Sequence, residues 1–450
     1  MKDAWIPYAT RAVPRYTSYP TAADFTPETG AAAAMAWSAA TQSEEAISAY
    51  LHVPFCDKLC WYCGCATSVP NGYRRVAEYV DLLLQEISLR GRAMGPHGGI
   101  GHLHFGGGSP NILNPNDFLE LVSALQRHFG IREGAEIAVE LDPRTMKPGQ
   151  VPVYSRAGVS RVSLGVQTLA EDVQHAINRI QPREMVVSLI EELRGAGIGA
   201  INMDLMYGLP YQTTQHVMEA ARFAAEMGAA RVSVFGYAHV PWFAKHQRAI
   251  DENALAGLHE RFTQARVAAM TLEGAGYVAI GLDHYARADD TLAIAACKGR
   301  LHRNFQGYTD DPCETLIGMG ATAISQFREG FSQNLKDRKA WGEAVRAGHL
   351  PVERGIALTP DDRLRARALE TLMCRLEVDA AEVCAEMGVP DDRLDDALDA
   401  ARAMERVGLC HVSGTVVTVP EEARIMLRTV AQCFDARSPV AAPQRHAKAV

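Results

Sequence analysis

Six short apolar runs punctuate the chain between residues 46 and 240, and longer segments with apolar residues every three or four positions separate them. The runs are "AISAYLHV" (46–53), "HLHF" (102–105), "EIAVELD" (136–142), "RVSLGVQ" (161–167), "AINMDLMYG" (200–208) and "RVSVFGYAHV" (231–240). The amphipathic segments lie near 73–93, 116–129, 148–157, 184–196 and 213–227. Strands apolar on both faces and separated by helices predict parallel βαβ units. Six such units with no early dinucleotide fingerprint predict an α/β fold on a whole or partial (β/α) barrel. Such barrels carry their active sites at the C-terminal strand ends. Cys56, Gly106, Glu140, Gln167, Asp204 and Ala238 all fall at or just past those ends.

Outside this alternation the pattern changes. Residues 1–45 mix polar turns with "GAAAAMAW", a short helix, and read as an N-terminal arm. Beyond about residue 250 a helix (253–275), an apolar run "YVAIGLDHYA" and a polar segment "LHRNFQGYTDD" follow, so the barrel and its extension span 46–355. Thr359 is a good N-cap, Pro360 suits the first helical position, and Asp361 and Asp362 favour the positive end of the helix dipole. "GLCHVSGTVVTVP" predicts a small hairpin before a last helix from 421, giving a mostly helical domain over 356–435. The tail 436–450 has little to bury and is expected to be disordered.

Composition narrows the function. The 450 residues are 48% hydrophobic, ample for a large core, and the formal net charge of −8 offers no basic footprint for nucleic acid. No run approaches the roughly 18 apolar residues of a membrane span. The first twenty residues show no apolar signal region, so a cytoplasmic location is the expectation. In that reducing setting a cysteine cluster reads as metal-binding or catalytic rather than disulfide-bonded.

Such a cluster is present. "YLHVPFCDKLCWYCGC" places Cys56, Cys60, Cys63 and Cys65 within ten positions, just past the first apolar run. Structural zinc sites usually separate two CxxC pairs by a dozen or more residues, whereas iron–sulfur clusters take closely spaced thiolates more readily. Spacing alone favours an iron–sulfur cluster and leaves zinc, or inert buried thiols, as alternatives. Cys297, Cys313, Cys374, Cys384, Cys410 and Cys433 are scattered and predict no second cluster. His52, His104, His239, His284 and His302 lie in motif segments, and none is assigned as a metal ligand.

The C-x3-C-x2-C motif at the end of a first barrel strand resembles the radical S-adenosylmethionine (SAM) enzymes. The wider sequence resembles the oxygen-independent coproporphyrinogen III oxidases. The likeness rests on "PRYTSYPT" (14–21), "HFGGGSP" (104–110), "VELDPR" (139–144), "LGVQ" (164–167), "DLMYGLP" (204–210), "VFGYAH" (234–239), "HRNFQGYT" (302–309), "GMGATAIS" (318–325) and "RGIALTPDD" (354–362). It implies a partial (β/α)6-type radical SAM barrel with an N-terminal arm, a substrate-covering extension and a mostly helical C-terminal domain.

The resemblance also implies the chemistry. Cys56, Cys60 and Cys63 would ligate a [4Fe-4S] cluster, with Cys65 not a ligand, and the open iron would chelate one SAM. Reductive cleavage of that SAM would yield a 5′-deoxyadenosyl radical, which takes a hydrogen from a substrate propionate. Loss of CO2 and an electron leaves a vinyl group, and two rounds convert coproporphyrinogen III to protoporphyrinogen IX. By resemblance Tyr50, Tyr62, Glu140 and Ile324 surround the cluster-bound SAM, and the glycine loop that starts at Gly106 contacts SAM. Gly107, Gly108, Ser109, Gln167, Arg179, Asp204 and Ala238 match positions contacting a second SAM. Arg303 and Gln306 of "HRNFQGYT" are catalytic candidates.

The substrate's carboxylates need cations, and Arg15 and Arg303 are the candidates, since guanidinium pairs bidentately with carboxylate. Taken without the family, Arg179 reads as a surface arginine, Glu140 and Asp142 as a solvated turn or helix cap, and Arg15 and Arg303 as surface salt bridges. The arm is expected to close over the active site. Family likeness further suggests a monomer served by a low-potential donor such as a flavodoxin. The competing readings are a haem-binding chaperone, another radical SAM enzyme on tetrapyrroles, and a zinc-stabilised scaffold.

Overall fold

The computed structural model describes residues 1–437 and Ala449. The apolar runs form strands β1 (Ile47–Val53), β2 (Ile100–Gly107), β3 (Ile131–Leu141), β4 (Arg161–Gln167), β5 (Ala200–Tyr207) and β6 (Arg231–Gly236). They pair in parallel and in chain order. β1 shows why: six of its seven residues are buried, as a strand covered on both faces requires. The amphipathic segments become helices Arg74–Ala93, Pro115–Phe129, Gln150–Arg156, Arg183–Gly195 and Thr214–Glu226. β6 ends at Gly236, short of the expected 240. Gln247 draws the next residues over the strand ends, accepting from Val240 N (2.6 Å) and donating to Ala238 O (3.2 Å).

The region after 250 is richer in strands than its pattern suggests. A helix, Leu258–Gly274, precedes the antiparallel pair β7 (Tyr277–Ile280) and β8 (His284–Arg287), which extends the sheet beyond β6. A two-stranded hairpin, β9 (His302–Asn304) and β10 (Gly307–Thr309), stands apart. β11 (Leu316–Met319) runs parallel to β1 on its free edge, followed by antiparallel β12 (Ile324–Phe327), β13 (Gly330–Asn334) and β14 (Val352–Ala357). The result is one sheet of 12 strands, open at β14 and β7 among the described residues. Its parallel centre is the partial barrel.

At the starts of the parallel strands buried charges close on one another. Arg161 pairs with Glu136 (2.9 Å) and Asp290 (3.4 Å), and Arg231 pairs with Asp290 (2.7 Å) and Asp310 (3.2 Å). Arg161 also donates to Asn202 Oδ1 (3.1 Å), tying β4 to β5.

The main core lies between the sheet and its helices. A second core gathers the C-terminal helices Pro360–Arg375, Ala380–Glu386 and Asp395–Glu405 around Leu372, Leu398 and Phe434. Thr359 caps the first of these helices, accepting from Asp362 N (3.1 Å). The expected hairpin is present as His411–Ser413 and Val416–Thr418, within a three-stranded sheet. The segment from 421 is a 3-10 turn leading into a short helix, Leu427–Ala431.

Trp5, Ala9, Val13, Tyr16 and Tyr19 of the arm belong to this second core. Trp5 donates to Val407 O (2.9 Å) and Tyr16 to Asp435 Oδ2 (2.9 Å). Further on, Thr26 pairs with Gly355 of β14. The arm thus runs from the C-terminal helices to the sheet edge, fixed at both ends. Truncating a buried side chain such as Trp5 costs about 3–5 kcal/mol, so it is not a freely moving flap. The tail expected to be disordered lies outside the described residues except for 436, 437 and 449.

Candidate functional site

The loop after β1 carries the cysteines, and loops after four other strands hold it. Trp61 N bonds to Ile177 O (3.0 Å) and Asn178 Nδ2 to Leu59 O (2.8 Å). His246 contacts Cys63 O (2.6 Å) and Gln247 donates to Tyr62 O (2.8 Å). Donors also converge on the sulfurs. Ser109 Oγ lies 3.4 Å and Thr67 Oγ1 3.2 Å from Cys56 Sγ. Arg144 Nη2 (3.2 Å) and Arg179 Nη1 (3.4 Å) reach Cys60 Sγ. Cys65 N donates to Cys63 Sγ (3.3 Å).

The effect on the thiols, whose thiolate form ligates metal, differs between Cys63 and Cys56. Hydrogen bonding from Cys65 lowers the Cys63 thiol to about 6, against the opposing effect of burial. Burial outweighs the hydroxyls at Cys56, whose thiol stays above its ordinary value. Among the described residues no three His, Cys, Asp or Glu side chains are placed to share a single ion. Three thiols in one loop with N–H and O–H donors on their sulfurs are the donor set that an iron–sulfur cluster takes. The residues present therefore fit the implied cluster.

The loop after β2 packs against the cysteine loop. Gly107 has φ +109, in the left-handed region, and a Cβ there would lie 2.5 Å from the His52 ring. A Cβ at Gly108 would meet Thr67 Oγ1 at 2.6 Å, and one at Gly106 the Glu140 carboxylate at 2.8 Å. Only glycines let this turn lie on the cysteine loop. Glu140 accepts from Gly107 N (3.2 Å) and bonds His104 Nε2 (3.0 Å). Burial pushes its carboxyl up, but these partners hold it below the ordinary range. Tyr50 bonds His52 Nδ1 (3.0 Å) and stacks on His104, at 5.8 Å between centroids.

Asp142 serves the site differently from Glu140. It caps the turn Pro143–Thr145, as the helix-cap reading supposed, and it also pairs with Arg144 (2.6 Å) and Arg179 (3.4 Å). Asp142 is thus the acid behind both arginines on Cys60. Arg179 is buried, so the surface reading fails for it; Nη2 donates to Gly165 O (2.5 Å). A Cβ at Gly165 would touch both Gln167 Nε2 (2.9 Å) and Arg179 Nη2 (3.0 Å), so these two side chains share one spot at the end of β4. Asp204 of β5 is pushed up to about 6, first by burial and then by Glu140, against a hydrogen bond from Ser233. Tyr62 is also raised, chiefly by burial. Ile324 sits on β12, beyond β11, whose Gly318 pairs with Tyr50.

A cavity of about 1550 Å³ opens between β5, β6, the arm and the C-terminal helices. Ala238, Arg15, Arg303 and Gln306 line it. Arg303 donates to the backbone at Tyr16 O (3.0 Å) and Arg15 O (3.0 Å) and stacks over Tyr308 at 4.3 Å. Arg15 lies over Phe235 at 5.9 Å. Among the described residues neither makes a surface salt bridge. The candidate residues thus fall into two groups, one around the thiols and one in the cavity. Sequence reasoning missed Arg144 on Cys60 and Arg261 in the cavity. Arg144 sits inside the quoted "VELDPR" block, whereas Arg261 lies in an unremarkable helix.

Residues 50–224 match the family model of the radical SAM superfamily. A protein of Bradyrhizobium diazoefficiens named oxygen-independent coproporphyrinogen III oxidase is 42% identical over 434 residues, 96% of each chain. A Salmonella typhimurium protein of the same name is 36% identical, covering 94% of this chain and 92% of its own. The solved structure of Escherichia coli coproporphyrinogen III oxidase (HemN), described as a radical SAM enzyme, superposes with a TM-score of 0.89 at 35% identity, covering 94% of this chain and 97% of that one. Sequence along almost the whole length and fold agree, and the chain belongs to the oxygen-independent coproporphyrinogen III oxidase family of the radical SAM superfamily.

Proposed function

We propose that this chain catalyses the anaerobic oxidative decarboxylation of two propionates of coproporphyrinogen III, giving protoporphyrinogen IX. The observation that carries the reading is the ring of donors on the three thiols at the strand ends. Radical SAM proteins use a [4Fe-4S] cluster and SAM, which when bound supply a carbon radical able to take hydrogen from an unactivated C–H bond. Cys56, Cys60 and Cys63 would hold the cluster. Arg144 and Arg179, anchored on Asp142, hold their guanidinium N–H groups against the Cys60 sulfur.

Glu140, held ionised by His104 and Gly107 N, offers an acceptor for nucleotide hydroxyls beside Tyr50 and Tyr62. Gln167, Arg179, Asp204, Ala238 and the Gly107–Ser109 turn form the proposed second SAM site. Arg303 and Gln306 face the substrate from the hairpin, while the arm and C-terminal helices wall the cavity and keep water out. Arm, barrel with extension and helical domain act as the units 1–45, 46–355 and 356–435. The electron would come from a low-potential donor of flavodoxin type, to a monomer working in the cytoplasm. Among the described residues no helix is long and apolar enough to cross a membrane.

The test is anaerobic reconstitution with iron and sulfide, followed by SAM, reductant and coproporphyrinogen III. The expected products are 5′-deoxyadenosine and a tetrapyrrole lighter by two CO2 and four hydrogens. Tight haem binding without decarboxylation would overturn the reading in favour of a carrier.

A further inference from the structure

Arg261, a cavity arginine, occupies a seat carved by two glycines at strand ends. It lies in the first turn of helix Leu258–Gly274, and its guanidinium sits over the Tyr207 ring at 5.6 Å. Nη2 donates to Tyr237 O (2.8 Å). Nε is sealed from solvent and, among the described residues, has no hydrogen-bond partner. A Cβ on Gly208 would run into Nη1, and one on Gly236 would come within 3.2 Å of Nη2. Gly208 has φ +77, so backbone conformation and space both require glycine there. Both glycines end strands that wall the cavity, which Arg261 lines.

Four of the five acids lining the cavity are paired elsewhere, and the fifth, Glu273, is exposed and interacts with Arg424. Glu252 pairs with His239 (3.0 Å), Asp283 with His284 (2.8 Å), Glu421 with Arg424 (2.6 Å) and Glu422 with Lys2 (2.7 Å). Among the described residues Arg261 forms no ion pair, and burial lowers its affinity for the proton. A partly buried cation with a sealed, unpaired N–H costs stability unless an anion arrives.

We propose that Arg261 is a carboxylate receptor, and that the carboxylate it takes is a propionate of the tetrapyrrole. The inference rests on the proposed function and adds to Arg15 and Arg303 a third, deeper cation that reads the substrate's side chains. The methionyl carboxylate of SAM has the same chemistry, and the experiment separates the two sources.

The test is equilibrium dialysis of the anaerobically reconstituted protein against coproporphyrin III, its tetramethyl ester and SAM, in the wild type, Arg261→Met and Arg261→Lys. A lost charge-assisted hydrogen bond predicts that Arg261→Met weakens coproporphyrin III about tenfold to a hundredfold. Binding of the ester and of SAM stays as in the wild type, and Arg261→Lys falls between, because it keeps the charge without the planar fork. The thermal midpoint of Arg261→Met without ligand is expected to match or exceed the wild type. Equal losses for acid and ester, no loss at all, or a loss confined to SAM would each overturn the assignment. A wild type that binds no coproporphyrin III defeats the proposed function itself, and the inference with it.

Discussion

The two ends of the partial barrel treat buried charge in opposite ways. At the strand starts, Arg161 and Arg231 are enclosed by Glu136, Asp290 and Asp310, and each guanidinium has at least two acids. At the other end, Arg303 and Arg261 hydrogen-bond to backbone carbonyls and lie over aromatic faces, and among the described residues neither forms an ion pair within 4 Å, though Asp283 interacts with Arg303 at longer range. Arg144 and Arg179 share the single acid Asp142 and also reach sulfur. A buried ion matched inside the protein completes the fold. A buried ion left unmatched costs stability that only a bound anion returns. The contrast therefore divides arginines that hold the barrel shut from arginines that wait for a ligand.

The sharpest way to break this division is Asp290→Ala. It strips one acid from both Arg161 and Arg231 and leaves two poorly compensated buried cations. Breaking such a pair is expected to cost roughly 3–5 kcal/mol. The loss should appear in the urea midpoint of the protein without ligands. The comparison fails if Asp290→Ala costs no more than Arg261→Met under the same conditions.

How legible this was in the sequence differs between the two ends as well. β1 to β6 could be read because runs buried on both faces leave a continuous apolar signature. β7 to β14 could not, because strands of three to six residues with glycine turns show no period long enough to register. The thiols stand out since their spacing within one loop is itself the signal. Arg261 does not, because its meaning comes from Gly208 and Gly236, distant in sequence and brought together only by the fold. Arg179 would have passed for a surface residue without the family pattern, and its burial beside Asp142 is a tertiary fact. The arm's aromatic positions were visible, but their destination, the C-terminal core, was not.

Asp204 offers a milder test, because it is the unmatched acid of the strand-end site. Burial first, and then Glu140, push it up to about 6 in the folded chain. An unfolded aspartate titrates near 3.9, so between about pH 4 and 6 the folded state binds more protons than the unfolded one. Stability contributed at this site therefore falls as pH rises through that window, and the full penalty stands above it. Asp204→Asn should match the wild type near pH 4 and exceed it at pH 7, by at most about 3 kcal/mol. A difference in thermal midpoint that stays flat across this range would show that Asp204 is relieved by its neighbours and is not an unmatched charge.

The smallest effect concerns the thiols, where the donors act on sulfur rather than on an acid. In the apo-protein Cys63, lowered to about 6 by Cys65, should be alkylated by iodoacetamide ahead of Cys56, whose thiol burial holds above its ordinary value. Alkylation follows the thiolate fraction, so site-resolved mass spectrometry against time reads this order directly. Ser109→Ala removes the hydroxyl at 3.4 Å from Cys56 Sγ and leaves Thr67 in place. One neutral hydrogen bond is worth about 0.5–1.5 kcal/mol, so Cys56 should react roughly two- to tenfold more slowly, with Cys63 unaffected. Equal rates at Cys56 in both proteins would mean that the strand-end donors do not tune sulfur. The contrast with the self-compensated end would then rest on the cavity arginines alone.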